Sequence, residues 1–110
     1  MLKELYDTSA LIYYWKNKTL DISGYTTIFS VIEFPKAIKF KQLVVIYPSR
    51  EDYDEAIRIS IDLLKKGKPI GAIDVLIASI ALNRDLLLIT MDKHLKYVKI
   101  VRPKLKLKFI

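Results

Sequence analysis

The sequence contains no cysteine, which excludes disulfide bonds and thiolate metal sites. A chain without cysteine suits a reducing compartment, and we expect a cytoplasmic protein. Histidine is almost as scarce, since His94 is the only one. Catalysis by a Ser–His or Cys–His arrangement is therefore poorly supported.

Glycine and long apolar runs are also scarce. The three glycines are Gly24, Gly67 and Gly71, and none follows the first predicted strand, where a nucleotide-binding Rossmann domain needs a glycine-rich turn. The longest apolar run, residues 75–82, is far too short to span a membrane. The N-terminal residues lack the apolar core of a signal peptide, so we expect neither secretion nor membrane insertion.

Acidic residues are missing from the C-terminal end, because Asp92 is the last one. Residues 1–92 hold twelve acidic and twelve basic residues, so the whole net charge of +7 lies beyond them. It comes from Lys93, Lys96, Lys99, Arg102, Lys104, Lys106 and Lys108. Such a basic end is typical of a protein that binds a polyanion such as nucleic acid, and RNA contacts are expected from Lys93, Lys104, Lys106 and Lys108. The alternating residues 104–108 are equally typical of an edge strand guarded by lysines.

Apolar segments alternate with amphipathic ones along the chain. Strands are predicted over residues 2–6, 25–29, 43–47, 86–89 and 99–102. Helices are predicted over residues 9–16, from Ser30 through Pro35, over about 48–66 and 72–83, and briefly after Asp92. Strands that are apolar throughout and alternate with helices favour a parallel sheet covered on both faces. The predicted fold class is α/β, three-layered, with a mostly parallel sheet in a single domain over residues 1–110.

Helix caps account for several polar residues in this prediction. Thr8 or Ser9 is expected to cap the first helix, and Ser30 and Glu33 match a capping box for the second. In the long third helix, Ile57, Ile61 and Leu64 share one face.

Four acidic residues fall near one edge of the predicted sheet. Asp7 and Asp92 follow the ends of two strands, and ligands bind beyond the carboxyl ends of strands in such folds. Glu33 lies one turn into the helix after the second strand, and Asp74 shares a helix face with core residues. Each acid also has a structural explanation, since Asp7, Asp74 and Asp92 are plausible helix caps and Glu33 completes a capping box. Four acidic residues in matching places of the fold favour a common site.

A cluster of carboxylates needs compensation, because like charges a few ångströms apart raise one another's pKa values. Ligation by oxygen alone favours Mg²⁺ or Mn²⁺. Such an ion activates water and stabilises a leaving oxygen, so the chemistry indicated is hydrolysis of a phosphodiester bond.

The segments that carry these acids resemble the pattern of PIN domains, and most of all the toxins of VapBC type II toxin–antitoxin systems. They are residues 7–11 (DTSAL), Glu33, residues 74–81 (DVLIASIA) and residues 90–92 (TMD). The resemblance implies a Rossmann-like sheet and a Mg²⁺- or Mn²⁺-dependent endoribonuclease that leaves a 5′-phosphate and a 3′-hydroxyl. It further implies a catalytic metal site made of Asp7, Glu33, Asp74 and Asp92, supported by the hydroxyls of Ser9 and Thr90.

The chain departs from that family between Glu33 and Asp74, where it is shorter than usual. The family commonly has more helix there, and the dimer surface and the antitoxin groove often lie in that region. A homodimer and a cognate antitoxin remain the protein partners that the resemblance implies. The alternative is a non-catalytic or degenerate PIN-type module that binds RNA or regulates.

Overall fold

A computed structural model describes residues 3–110, in which strands and helices alternate along most of the chain. Leu2, where the first strand was predicted to begin, lies outside the described residues. The strands are β1 (Glu4–Tyr6), β2 (Gly24–Thr27), β3 (Leu43–Ile46), β4 (Leu87–Thr90) and β5 (Lys106–Phe109). The helices are α1 (Thr8–Lys16), α2 (Ile28–Glu33), α3 (Arg50–Lys65), α4 (Ala72–Asn83) and α5 (Leu95–Val101), with a 3₁₀ helix over Pro35–Lys39.

The five strands form one parallel sheet in the order β3-β2-β1-β4-β5. Successive residues of a strand point to opposite faces. Accordingly, Leu5 and Leu88 pack into one core cluster with α3, α4 and α5, while Tyr6 and Ile89 pack into another with α1. Helices on both faces of a parallel sheet confirm the predicted three-layer α/β class.

The helix α4 is central to the fold, because it is apolar almost all round. Every residue from Val75 to Ala81 is buried. A helix with no polar face must be covered on several sides, and α3 packs along it while the sheet lies beneath. Its first turn carries Asp74, so core packing fixes the position of that acid.

The last strand differs from the prediction. Residues 99–101 belong to α5, because Leu95 and Val98 repeat with helical spacing and are buried against the core. The strand is Lys106–Phe109, which pairs only with β4 and so forms an edge of the sheet. The interpretation of the alternating lysine segment as an edge strand is therefore confirmed.

Both predicted helix caps are also wrong. The first helix is capped by Asp7, whose Oδ1 accepts from the Ala10 N–H at 2.9 Å. The second begins at Ile28, capped by Thr27, whose hydroxyl accepts from the Ser30 N–H at 3.2 Å. Ser30 and Glu33 thus form no capping box, and Glu33 ends the helix. Pro35 opens the 3₁₀ helix instead of lying within α2.

The apolar face of α3 that is most evident in the sequence points away from the core. Ile57, Ile61 and Leu64 are 60%, 49% and 68% exposed. The buried face carries Ala56, Ile59 and Leu63. Asp52 lies on this inner side and is fully buried, paired with Arg84 at 2.8 Å.

Among residues 3–110, no helix combines the length and hydrophobicity needed to cross a membrane.

Candidate functional site

Asp7 lies at the carboxyl end of β1 and is 3% exposed. Both oxygens accept hydrogen bonds: Oδ1 from the Ser9 hydroxyl at 2.7 Å and the Ala10 N–H at 2.9 Å, and Oδ2 from the Thr90 hydroxyl. Burial raises the pKa of the Asp7 carboxyl, although these hydrogen bonds act in the opposite direction. Asp7 is therefore both a helix cap and a buried, oriented carboxylate.

The hydroxyls of Ser9 and Thr90 hold Asp7 and also connect the ends of two strands. Their oxygens are 3.3 Å apart. Ser9 Oγ accepts from the Met91 N–H at 2.9 Å, and Thr90 Oγ1 accepts from the Asp92 N–H at 2.9 Å. The two residues therefore fix Asp7 relative to the backbone that carries Asp92.

Glu33 ends α2, where it is exposed and free of any capping role. Its Oε1 accepts from the Thr8 hydroxyl at 2.6 Å. Sequence reasoning did not assign Thr8 to the site. Its position between Asp7 and Ser9 was the available signal, but only the fold shows that α2 brings a carboxylate to it.

Asp74 and Asp92 form an interacting pair of carboxyl groups. Burial raises the pKa of Asp74 to about 6, and the charge of Asp92 and a hydrogen bond between the two side chains contribute further. Burial acts against ionisation of Asp92 as well, but hydrogen bonds from His94 and Asp74 outweigh it, so the pKa of Asp92 is lowered. The two carboxyl groups therefore titrate as an interacting pair, and the pKa of Asp74 is the higher of the two. Neither acid caps a helix, since Gly71 and His94 occupy those positions.

The four acids line one cavity of about 260 Å³ at the carboxyl edge of the sheet. We call this cavity, completed by Thr8, Ser9, Ile12 and Ile77, the acidic pocket. Across residues 3–110, however, no group of three or more His, Cys, Asp or Glu side chains is arranged so that it could hold a metal ion. Asp7, Glu33 and Asp92 each accept a hydrogen bond from a neighbouring residue.

The donor chemistry of the acidic pocket nevertheless fits a hard divalent cation. All four side chains offer carboxylate oxygens, which Mg²⁺ and Mn²⁺ prefer. Burial raises the pKa of Asp74 most, and the negative charges of Asp92, Asp7 and Glu33 raise it further, so a cation at this place would relieve their repulsion. Glu33 is exposed at a helix end, so its side chain has room to turn towards the others.

His94 is 71% exposed at its side chain. Its Nδ1 lies 2.9 Å from Asp92 Oδ1, and its backbone N–H donates to the same oxygen at 2.9 Å. His94 thus orients Asp92 from outside the acidic pocket.

The four lysines expected to contact RNA do not form one surface. Lys106 pairs with Asp85 and lies opposite Leu87, the first residue of β4, so it belongs to the amino edge together with Lys104. Lys108 lies opposite Ile89, and the Lys93 ammonium lies 4.4 Å from the centre of the Phe109 ring, near the carboxyl edge. Only Lys93 and Lys108 therefore lie towards the edge that carries the acids.

A cavity of about 690 Å³ lies between α3 and α4 and contains none of the four acids. Tyr53, Ile57, Ile61, Leu64 and Ile73 line its exposed rim. Its lining is almost entirely apolar, which suits packing against another surface more than catalysis.

No protein-family model matches the sequence, and no curated protein matches it significantly. Several solved structures share its fold, and three of them are chains of VapBC complexes. A chain of DNA-bound VapBC from Salmonella typhimurium has a TM-score of 0.79 at 21% identity, and one of VapBC2 from Rickettsia felis, bound to a promoter DNA fragment, has 0.75 at 21%. A chain of VapBC-1 from nontypeable Haemophilus influenzae has 0.77 at 20%. Each match covers 99% of this chain and 98% of the other. At these identities the likeness establishes the fold, and it confirms the architecture that the resemblance implied.

Proposed function

We propose that the protein is a Mg²⁺- or Mn²⁺-dependent endoribonuclease, the toxin of a type II toxin–antitoxin pair. The observation that carries this proposal is the gathering of four carboxylates from four separate segments into the acidic pocket. The fold shared with chains of VapBC complexes supports it. We place the protein in the cytoplasm, where its RNA substrate and antitoxin occur.

The proposal assigns a role to the four acids and to the hydroxyl side chains of the acidic pocket and its edge. Asp7, Glu33, Asp74 and Asp92 would hold the cation, which supplies water activation and charge stabilisation when bound. Ser9 and Thr90 orient Asp7, and Thr8 restrains Glu33. Asp74 must release its proton before it ligates a cation, because metal ions bind the ionised carboxylate.

The proposal is tested by incubating the purified protein with single-stranded RNA, with Mn²⁺ or with EDTA. We expect cleavage only with Mn²⁺, and 5′-phosphate ends on the products. The alternative function is a non-catalytic RNA-binding module. One observation supports it: within the described residues, no three of the acids are placed so that they could hold an ion together. RNA binding without cleavage under either condition would establish that alternative.

Metal binding has a readout that does not depend on activity. Ionised Asp74 is disfavoured in the folded protein, so its contribution to stability declines as the pH rises from about 4 through 6. Without metal, Asp74→Asn should therefore increase the free energy of unfolding at pH 7.5 by about 1 kcal/mol.

Mn²⁺ should raise the melting temperature of the wild type, more at pH 7.5 than at pH 5, and leave that of Asp74→Asn almost unchanged. Equal Mn²⁺ effects on both proteins would show that the ion binds elsewhere.

We also propose a homodimer that covers the outer face of α3, in addition to an antitoxin partner. Ile57, Ile61 and Leu64 form a continuous exposed stripe, and a monomer rarely leaves such a patch uncovered. Replacing Ile57 and Leu64 with glutamate should convert the dimer to a monomer in light scattering after size-exclusion chromatography. Ile38→Glu, at an equally exposed position of the 3₁₀ helix, serves as the control. A wild type that is already monomeric contradicts the dimer proposal.

A further inference from the structure

A second cavity adjoins the acidic pocket. Its volume is about 380 Å³, and it is lined by Pro69, Ile70, Gly71, Asp74 and His94. Asp74 lines both cavities. His94, which lines the second cavity, also contacts Asp92, which lines the acidic pocket. A ligand held at the acids therefore has a depression to follow towards the connection between α3 and α4.

Tyr97 lies next to His94, and the ammonium groups of two lysines lie over its ring. Its ring centre is 6.3 Å from that of His94. The Nζ atoms of Lys68 and Lys96 lie 5.3 Å and 5.4 Å from the Tyr97 ring centre. Tyr97 packs against the core, so its ring is a fixed platform that holds both cations by cation–π attraction.

The backbone that presents Lys68 is also fixed. The helix α3 ends in a Schellman motif, in which the Gly67 N–H donates to Leu64 O at 3.0 Å and the Lys68 N–H donates to Leu63 O at 2.9 Å. Gly67 has a φ of +68°, a conformation that favours glycine. The turn therefore sets where Lys66 and Lys68 leave the helix, and both line a small cavity with Tyr97.

These lysines are available to a ligand. Within the part of the chain that the structure describes, Lys66, Lys68 and Lys96 make no ion pair, whereas Lys106 pairs with Asp85. All three are exposed. Lys68 and Lys96 lie over Tyr97, which neighbours His94, and His94 contacts Asp92 of the acidic pocket. The lysines therefore offer positive charge near four acids that repel phosphate.

We propose that Lys66, Lys68, Lys96, Tyr97 and His94 form a track that binds the sugar–phosphate backbone of single-stranded RNA on one side of the bond to be cut. Proteins that bind single strands combine a positive groove with aromatic side chains, and this surface has both. The track rests on the proposed function for the identity of its ligand. It places the RNA along α5 and the end of α3 instead of along β5 and the residues just before it, where Lys106 and Lys104 lie.

The test measures binding separately from cleavage. Fluorescence anisotropy of labelled oligouridine RNA is recorded in EDTA at several salt concentrations. The double variant Lys68→Gln with Lys96→Gln should bind about tenfold more weakly, and its dependence of log K on log salt should be shallower by about 1.4, the value for two lost phosphate contacts on a single strand. The matched control is Lys39→Gln with Lys41→Gln, which removes the same charge from exposed lysines at the other end of the sheet. It should change the affinity less than about twofold.

Each outcome distinguishes the track from the nuclease proposal. Equal affinities for the two double variants, or no RNA binding by the wild type, overturn the track, while Mn²⁺-dependent cleavage by the same preparation would leave the nuclease standing. Weaker binding of the track variant alone supports the track even if no cleavage occurs. Polyglutamate that displaces RNA as well as an unlabelled RNA of equal charge would show a site for any polyanion and overturn the assignment to RNA.

Discussion

Replacing Asp7 with asparagine should reduce Mn²⁺-dependent RNA cleavage at least about a thousandfold, because a catalytic ion contributes several kcal/mol of transition-state stabilisation. Asp7 is the most buried of the four acids and is held from three sides. Asparagine keeps the shape of the side chain and one acceptor oxygen, so the cap of α1 is largely retained. The measurement is the initial rate on labelled RNA.

The control for this prediction is Asp54→Asn, an equal change of charge at an exposed position of α3. Circular dichroism and urea unfolding establish that Asp7→Asn remains folded. If the folded variant cleaves RNA at more than about a tenth of the wild-type rate, Asp7 is a helix cap and not a metal ligand.

Asp52→Ala should cause the largest loss of stability among the acidic positions, about 3 kcal/mol. Asp52 is fully buried, and its carboxylate accepts from Arg84 at 2.8 Å, Asn83 at 2.9 Å and the Ser49 N–H at 2.8 Å. Alanine would leave these donors without an acceptor, and Arg84 would lose its counter-charge. Urea denaturation measures the effect, and Asp54→Ala should change stability by less than about 0.5 kcal/mol. A similar loss in both variants would mean that the Asp52 network contributes little.

The same network predicts a dependence on pH. Burial favours the neutral form of Asp52, but the hydrogen bonds from Arg84, Ser49 and Asn83 outweigh it and lower its pKa. The stabilisation is therefore complete above about pH 4, the ordinary pKa of aspartate, and is lost as the pH falls through the lower pKa of the folded state. The difference in unfolding free energy between wild type and Asp52→Asn should shrink below pH 4. A constant difference would contradict this assignment.

The alternation of apolar strands with helices was sufficient to predict the fold class, because a buried parallel sheet leaves a strong pattern. Chain geometry also placed Asp7 and Asp92 at one edge, since parallel strands end on the same side. The errors occurred where local patterns compete. Residues 99–101 suit a strand by composition, but burial of Leu95 and Val98 decides for a helix. Ser30 and Glu33 match a capping box, but Thr27 caps the helix one turn earlier.

Other features depend on contacts between distant segments, which no local pattern records. Asp52 looked like any acid in the first turn of a helix, and only packing against α4 buries it beside Arg84. Thr8 meets Glu33 because α1 and α2 adjoin, and Lys68 and Lys96 lie over the same Tyr97 ring because the end of α3 adjoins α5.

The sequence by itself determined the α/β class, the alternation of strands and helices, and the four acids placed near one edge of the sheet. The tertiary structure alone decided which carboxyl groups change one another's pKa values, which acid is buried, and which lysines lie near His94 and Tyr97. The physical reason is the separation along the chain of the residues that interact. Secondary structure and polarity depend on neighbours along the chain, whereas pKa shifts, burial and ion pairs depend on distances between residues that only the fold brings together.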